Sequence, residues 1–86
     1  MTEVQVNRLG YGLLGKKRVK EAIAVFKMNT EDFPNSSNTY DSLGEAYMVA
    51  GEKALAIKNY EKSIELDPNN TNGIEMLKKL RASSSQ

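Results

Sequence analysis

The chain repeats itself after 34 residues, and that period constrains the fold more than any other feature of it. Shifted by 34, Leu9-Gly10 falls on Leu43-Gly44, Ala22-Ile23 on Ala56-Ile57, Phe26 on Tyr60, Glu31 on Glu65, and Pro34-Asn35 on Pro68-Asn69. The order of a small pair, an aromatic and a proline is thus written twice. A period of this length marks a supersecondary unit that cannot bury its apolar face alone and stacks on its neighbour.

Each unit reads as two helices. In the second, Tyr40, Leu43, Tyr47 and Val49-Ala50 recur at helical spacing behind the cap-type residues Ser36, Ser37 and Asn38. Gly51 suits a left-handed stop. Ala54, Ile57, Tyr60 and Ile64 then step along a second helix that Pro68 ends, disfavouring helical geometry at Asp67 as well. The first unit predicts helices over about Glu3–Leu14 and Arg18–Asp32, joined by a basic turn and ended at Pro34. Ile74, Leu77 and Leu80 mark a fifth helix over about Thr71–Ala82, and the small polar residues 83–86 are expected to be a disordered tail. Period-two alternation is confined to Val4-Gln5-Val6-Asn7, so the fold class is all-α. The expected organisation is repeat 1 at 3–36, repeat 2 at 37–70, a capping helix at 71–82 and the tail. Leu9, Leu13, Ala22, Ile23, Phe26, Leu43, Tyr47, Ala56, Ile57, Tyr60, Ile64, Leu77 and Leu80 are expected to be largely buried.

These residues resemble the tetratricopeptide repeat. Counted from Ser37, the second unit supplies Tyr40, Leu43-Gly44, Tyr47, Ala56, Tyr60, Ser63 and Pro68 at the family's positions. Counted from Glu3, the first supplies Leu9-Gly10, Ala22, Phe26 and Pro34, and departs with Val6, Leu13 and Asn29. The resemblance covers about residues 3–82 and implies antiparallel hairpins stacked in a short right-handed superhelix, five helices in all. The run Phe26–Asn29, Phe33–Ser36 and Tyr40–Tyr47 also resembles short repeat tails at the C-termini of bacterial serine hydrolases of the β-lactamase-like and esterase groups.

Composition narrows the chemistry. Twelve Lys and Arg against eleven Asp and Glu leave a net charge of +1, too little surplus for a dedicated nucleic-acid binder. The chain has no His and no Cys, which removes the commonest general base, metal ligand and thiolate nucleophile. No apolar run approaches a membrane span. Gly10-Tyr11-Gly12-Leu13-Leu14-Gly15 spells a phosphate-loop pattern, but Gly10 already belongs to the repeat register and no βαβ unit surrounds it. Lys16-Lys17-Arg18 and Lys20 read as a solvated turn rather than a phosphate site. Asp67, Asn69 and Thr71 fail as a calcium loop because its twelfth position is Lys78. No serine has the partners of a nucleophile. No cofactor, no metal and no catalytic residue are expected, and the chain is read as no enzyme.

The resemblance implies a peptide groove lined by the first helix of each repeat. Its positions here are Val4, Asn7, Tyr11, Leu14 and Gly15, then Asn38, Asp41, Glu45, Met48 and Val49. Chaperone-binding members clamp a C-terminal carboxylate with Lys and Asn where this chain has Asn7 and Tyr11, then Asp41 and Glu45, so an acidic tail would be repelled. The implied function is a non-catalytic scaffold for protein or peptide contacts. The alternative is an accessory C-terminal domain of a serine hydrolase, packed on an upstream domain. The expected compartment is cytoplasmic by default and exported for a secreted hydrolase's tail. Helical-hairpin repeats that bind single-stranded RNA have a 35-residue period and a basic groove, unlike Asp41 with Glu45. Three glycines weaken the first helix. It carries Val4, Val6, Leu9, Leu13 and Leu14, more apolar surface than one partner helix hides. Weak homodimerisation through that helix is expected, with a monomer frayed at that helix as the alternative.

Overall fold

In the computed structural model, which describes residues 1–84, five helices follow one another: α1 (Glu3–Gly15), α2 (Val19–Asp32), α3 (Ser37–Val49), α4 (Lys53–Leu66) and α5 (Thr71–Ser84). No strand occurs among the described residues. α1 pairs with α2, α3 with α4, and α3 and α5 each pack against the helix before them. The described chain measures 39 × 27 × 17 Å, the shape of a short stack.

Local chemistry sets the helix ends. Thr2 caps α1 in a reciprocal box: its hydroxyl accepts the Gln5 N–H at 3.2 Å, and the Gln5 side chain accepts the Thr2 N–H at 2.9 Å. α1 and α3 end alike. The N–H groups of Arg18 and Glu52 reach back five residues to the carbonyls of Leu13 and Tyr47, each at 2.9 Å, and those of Lys17 and Gly51 reach back three. This is a Schellman ending, and it requires a left-handed residue, here Lys17 at φ 63° and Gly51 at φ 79°. The two stand one repeat apart. α2 and α4 stop before Pro34 and Pro68, with Asp67 extended at φ −141° as a residue preceding proline should be.

Packing within each pair rests on a glycine over an aromatic ring. A Cβ at Gly44 would stand 3.1 Å from three ring atoms of Tyr60, and one at Gly10 would collide with the ring of Phe26. Both rings are buried, at 1% and 0% exposure. Two clusters form the core: Ala22, Phe26, Leu43 and Ala46, then Ala56, Tyr60, Leu77 and Leu80. Beside each ring a polar bond ties the second helix to the first residue of its partner. Asn29 Nδ2 donates to the Glu3 carbonyl at 3.1 Å, and Ser63 Oγ donates to the Ser37 carbonyl at 2.9 Å. Asn29, a departure from the repeat pattern, is fully buried and makes the same link as Ser63.

Two expectations are corrected. Leu9 is 46% exposed, not buried, although Leu43 and Leu77 one and two repeats later are 4% and 5% exposed. α2 and α4 cover those two, and no described helix precedes α1. The tail also loses its first residues to α5, which runs through Ser84. Lys53 Nζ donates to Ser83 Oγ at 2.8 Å, holding that end against α4. Residues 85 and 86 lie outside the described residues. Leu13, Ile23, Tyr47, Ile57 and Ile64 are half-buried against the clusters. Val6, Thr39, Ser42 and Ala46 are buried without having been expected to be.

Gly44→Leu is expected to lower stability by about 3 kcal/mol, because leucine cannot share the crossing with Tyr60, and Ala56→Leu acts in the same direction. Gly12→Ala raises it by about 1 kcal/mol, since a Cβ there meets nothing within 4 Å. Urea denaturation of the three variants checks the assigned register. Equal midpoints would refute it. Lys17→Gly should stabilise by about 1 kcal/mol by relieving a left-handed side-chain residue, and Gly51→Ala should destabilise by a similar amount. Melting curves of both variants decide the point.

Candidate partner-binding face

The residues expected to line a groove lie on α1 and α3, and polar contacts tie four of them, Asn7, Tyr11, Asp41 and Glu45, to neighbouring segments. Asn7 Oδ1 accepts the Ser42 hydroxyl at 2.5 Å. Tyr11 donates its phenolic proton to Glu45 Oε1 at 2.9 Å, across one repeat. The Tyr11 ring also meets Phe26 edge-on, with centroids 5.1 Å apart at 67°. Asp41 accepts from Asn70 Nδ2 at 2.8 Å and from Asn72 Nδ2 at 3.1 and 3.2 Å, which carries the contacts onto the start of α5.

Two clefts open along these helices. One is lined by Ser37, Asn38, Asp41, Asp67 and Asn70, and is acidic. The other lies between α3 and α5 and is lined by Glu45, Met48, Val49, Tyr60, Asn72 and Met76. The Tyr60 hydroxyl points at Met48 Sδ, 3.8 Å away. Val49 is 58% exposed. Leu14 sits elsewhere, half-buried against the cluster that holds Phe26 and Leu43. Val4 and Gly15 are exposed. Asn72 and Met76 were missed from sequence because α5 reads as a cap. One further step of 34 carries Asn38 onto Asn72 and Ser42 onto Met76, which was the signal available.

Burial and nearby carboxylates act on the two tyrosines of this region. Partial burial, with Glu45 adding to it, pushes the Tyr11 phenol up to about 12. Burial, then Asp41 and Glu45, push Tyr60 upward as well. No cluster of three or more His, Cys, Asp or Glu able to hold a metal ion occurs among the described residues, and none of the described helices is long and apolar enough to cross a membrane.

The pH dependence follows from Tyr11. Below pH ~10, where a free phenol is protonated, the side chain is neutral in both folded and unfolded chains and the full stability is present. As pH rises from ~10 towards about 12, the unfolded chain releases the proton first, so stability falls. Tyr11→Phe should remove part of that fall. Urea midpoints at pH 8, 10 and 11 test this, and parallel profiles for the two proteins would contradict it.

The family model for the tetratricopeptide repeat matches residues 42–70, from the middle of α3 to the turn after α4. Among solved structures, the chain is similar to "First TPR of Spaghetti (RPAP3) bound to HSP90 peptide SRMEEVD" at 16% identity and a TM-score of 0.58. That match covers 98% of this chain and 94% of the other. No curated protein sequence matches.

Proposed function

We propose that this chain, whose residues 42–70 match the tetratricopeptide-repeat model and whose five-helix fold is similar to that of such a domain, is a non-catalytic module that binds a segment of a partner protein on the face built by α1, α3 and α5. The observation that carries this reading is the pairing of an acidic rim with a thioether-lined cleft. Glu45 lines one cleft with Met48 and Met76, Asp41 bonds to Asn72 of its wall, and methionine side chains adapt to varied apolar partners.

The charge selects the ligand. The similar solved structure holds a peptide, SRMEEVD, with two glutamates and an aspartate. Here Asp41 and Glu45 would meet such a peptide with like charge. The ligand proposed is therefore a neutral or basic segment that places one apolar side chain between Met48 and Met76. Glu45 accepts from Tyr11, and Asp41 from Asn70 and Asn72, so both carboxylates are held in place before a ligand arrives. That lowers the ordering cost of binding. The reading as the tail of a serine hydrolase draws no support from the comparisons.

Fluorescence anisotropy with SRMEEVD and with SRMKKVK tests the proposal. The basic peptide should bind the more tightly. Glu45→Lys should weaken it by roughly two- to five-fold, the scale of a partly exposed charge pair, and raised salt should weaken it too. Preference for the acidic peptide, or indifference to Glu45→Lys, would sink the reading.

A further inference from the structure

A second surface lies on α1, where Gln5, Arg8, Leu9, Gly12, Leu13 and Lys16 line a shallow cleft. The repeat itself says what such a face is for. A step of 34 carries Gln5, Arg8, Leu9 and Gly12 onto Thr39, Ser42, Leu43 and Ala46, all buried in α3 at 0 to 4% exposure. A further step reaches Gly73, Met76, Leu77 and Leu80 of α5, three of them buried and Met76 half-buried. In α3 that face is covered by Ala22 and Phe26 of α2, and in α5 by Ala56 and Tyr60 of α4. On α1 it is open, with Leu9 46% exposed.

We propose that this face of α1 docks an amphipathic helix of a partner protein, one with carboxylates beside its apolar stripe. The stripe is set by the two helices that cover the equivalent faces. Each presents a small residue, an isoleucine and an aromatic at i, i+1 and i+4: Ala22-Ile23 with Phe26, and Ala56-Ile57 with Tyr60. Gly12 leaves room for such a ring, since a Cβ there would touch nothing within 4 Å.

Charge decides the flanks and excludes a second copy. The cleft lining contains Arg8 and Lys16 and no carboxylate, and neither cation forms an ion pair among the described residues. At the internal junction of α4 with α5, by contrast, Glu61 crosses to pair with Arg81. The α1 faces of two copies would bring Arg8 and Lys16 against each other, a like-charge contact that suppresses pairing. The cleft between α4 and α5 sets Lys78 and Arg81 beside Glu61, which pairs with Arg81 and leaves Lys78 as the cleft's unmatched charge among the described residues, also cationic.

The probe is a helical peptide of residues 52–67, the α4 sequence, which carries Tyr60 and Glu61. It is titrated into the isotope-labelled 86-residue protein and followed by amide chemical shifts. Shifts are expected at Gln5, Arg8, Leu9, Gly12 and Lys16. Binding should be lost with Gly12→Leu, which fills the cleft without touching the core, and weakened several-fold by Arg8→Glu with Lys16→Glu and by raised salt. Val49→Ala, on the other face and exposed there, should leave it unchanged, which separates this surface from the one proposed above. Unaltered circular dichroism shows that the variants fold. Absence of binding to the folded protein, binding insensitive to Gly12→Leu, or α1 shifts that depend on protein concentration alone, as a homodimer would give, each overturn the proposal.

Discussion

Everything in this molecule depends on a glycine lying flat against an aromatic ring. At Gly10 over Phe26, and again at Gly44 over Tyr60, a helix backbone approaches its partner with no side chain between. The rings are large enough to bury on the order of 150–250 Å² each, and they do so completely because the opposing residue occupies no space. Fixing that crossing fixes the hairpin. The buried bonds of Asn29 to the Glu3 carbonyl and of Ser63 to the Ser37 carbonyl then set the register along it.

With two equivalent hairpins, the stack follows. α3 lies against α2 as α5 lies against α4, and the first helices of the units come within hydrogen-bonding reach of one another. Tyr11 with Glu45 and Asn7 with Ser42 join α1 to α3. Asp41 with Asn70 and Asn72 joins α3 to the start of α5. These contacts are polar because the helices are further apart there than at the glycine crossings, and side chains with hydrogen-bonding tips span the gap. The same contacts place two carboxylates on the face open to a partner. Structure and charge preference thus have one origin.

The ends of a stack are chemically unlike its middle. A repeat has one face for the unit before it and one for the unit after, and translation by 34 residues makes the faces comparable. α5 presents Lys78 where Gly44 admits a ring, so its outer side suits solvent. α1 keeps Leu9 where α3 has Leu43, but surrounds it with Arg8 and Lys16. An exposed leucine at a position the fold otherwise buries, ringed by one sign of charge, is a surface shaped for a particular neighbour.

The sequence alone determined the period, the five helices, their stops at Pro34 and Pro68, and the placing of Gly10 and Gly44 one repeat apart. Each of these is local, or depends on two residues that the repeat places in the same relation twice. The tertiary structure decided the rest. Helical spacing made Leu9 apolar-facing, yet whether it is covered depends on a helix beyond the spacing's reach. Asn29 looked like a fault in the pattern and is a buried link, because the carbonyl it meets lies 26 residues away. Lys17 adopts the left-handed turn that Gly51 adopts, since the Schellman bonds outweigh the cost to a side-chain residue. Asn72 and Met76 joined the face only once α5 was seen docked in the register of a third first-helix. Pattern records which side of a helix is apolar; only packing records what stands opposite it.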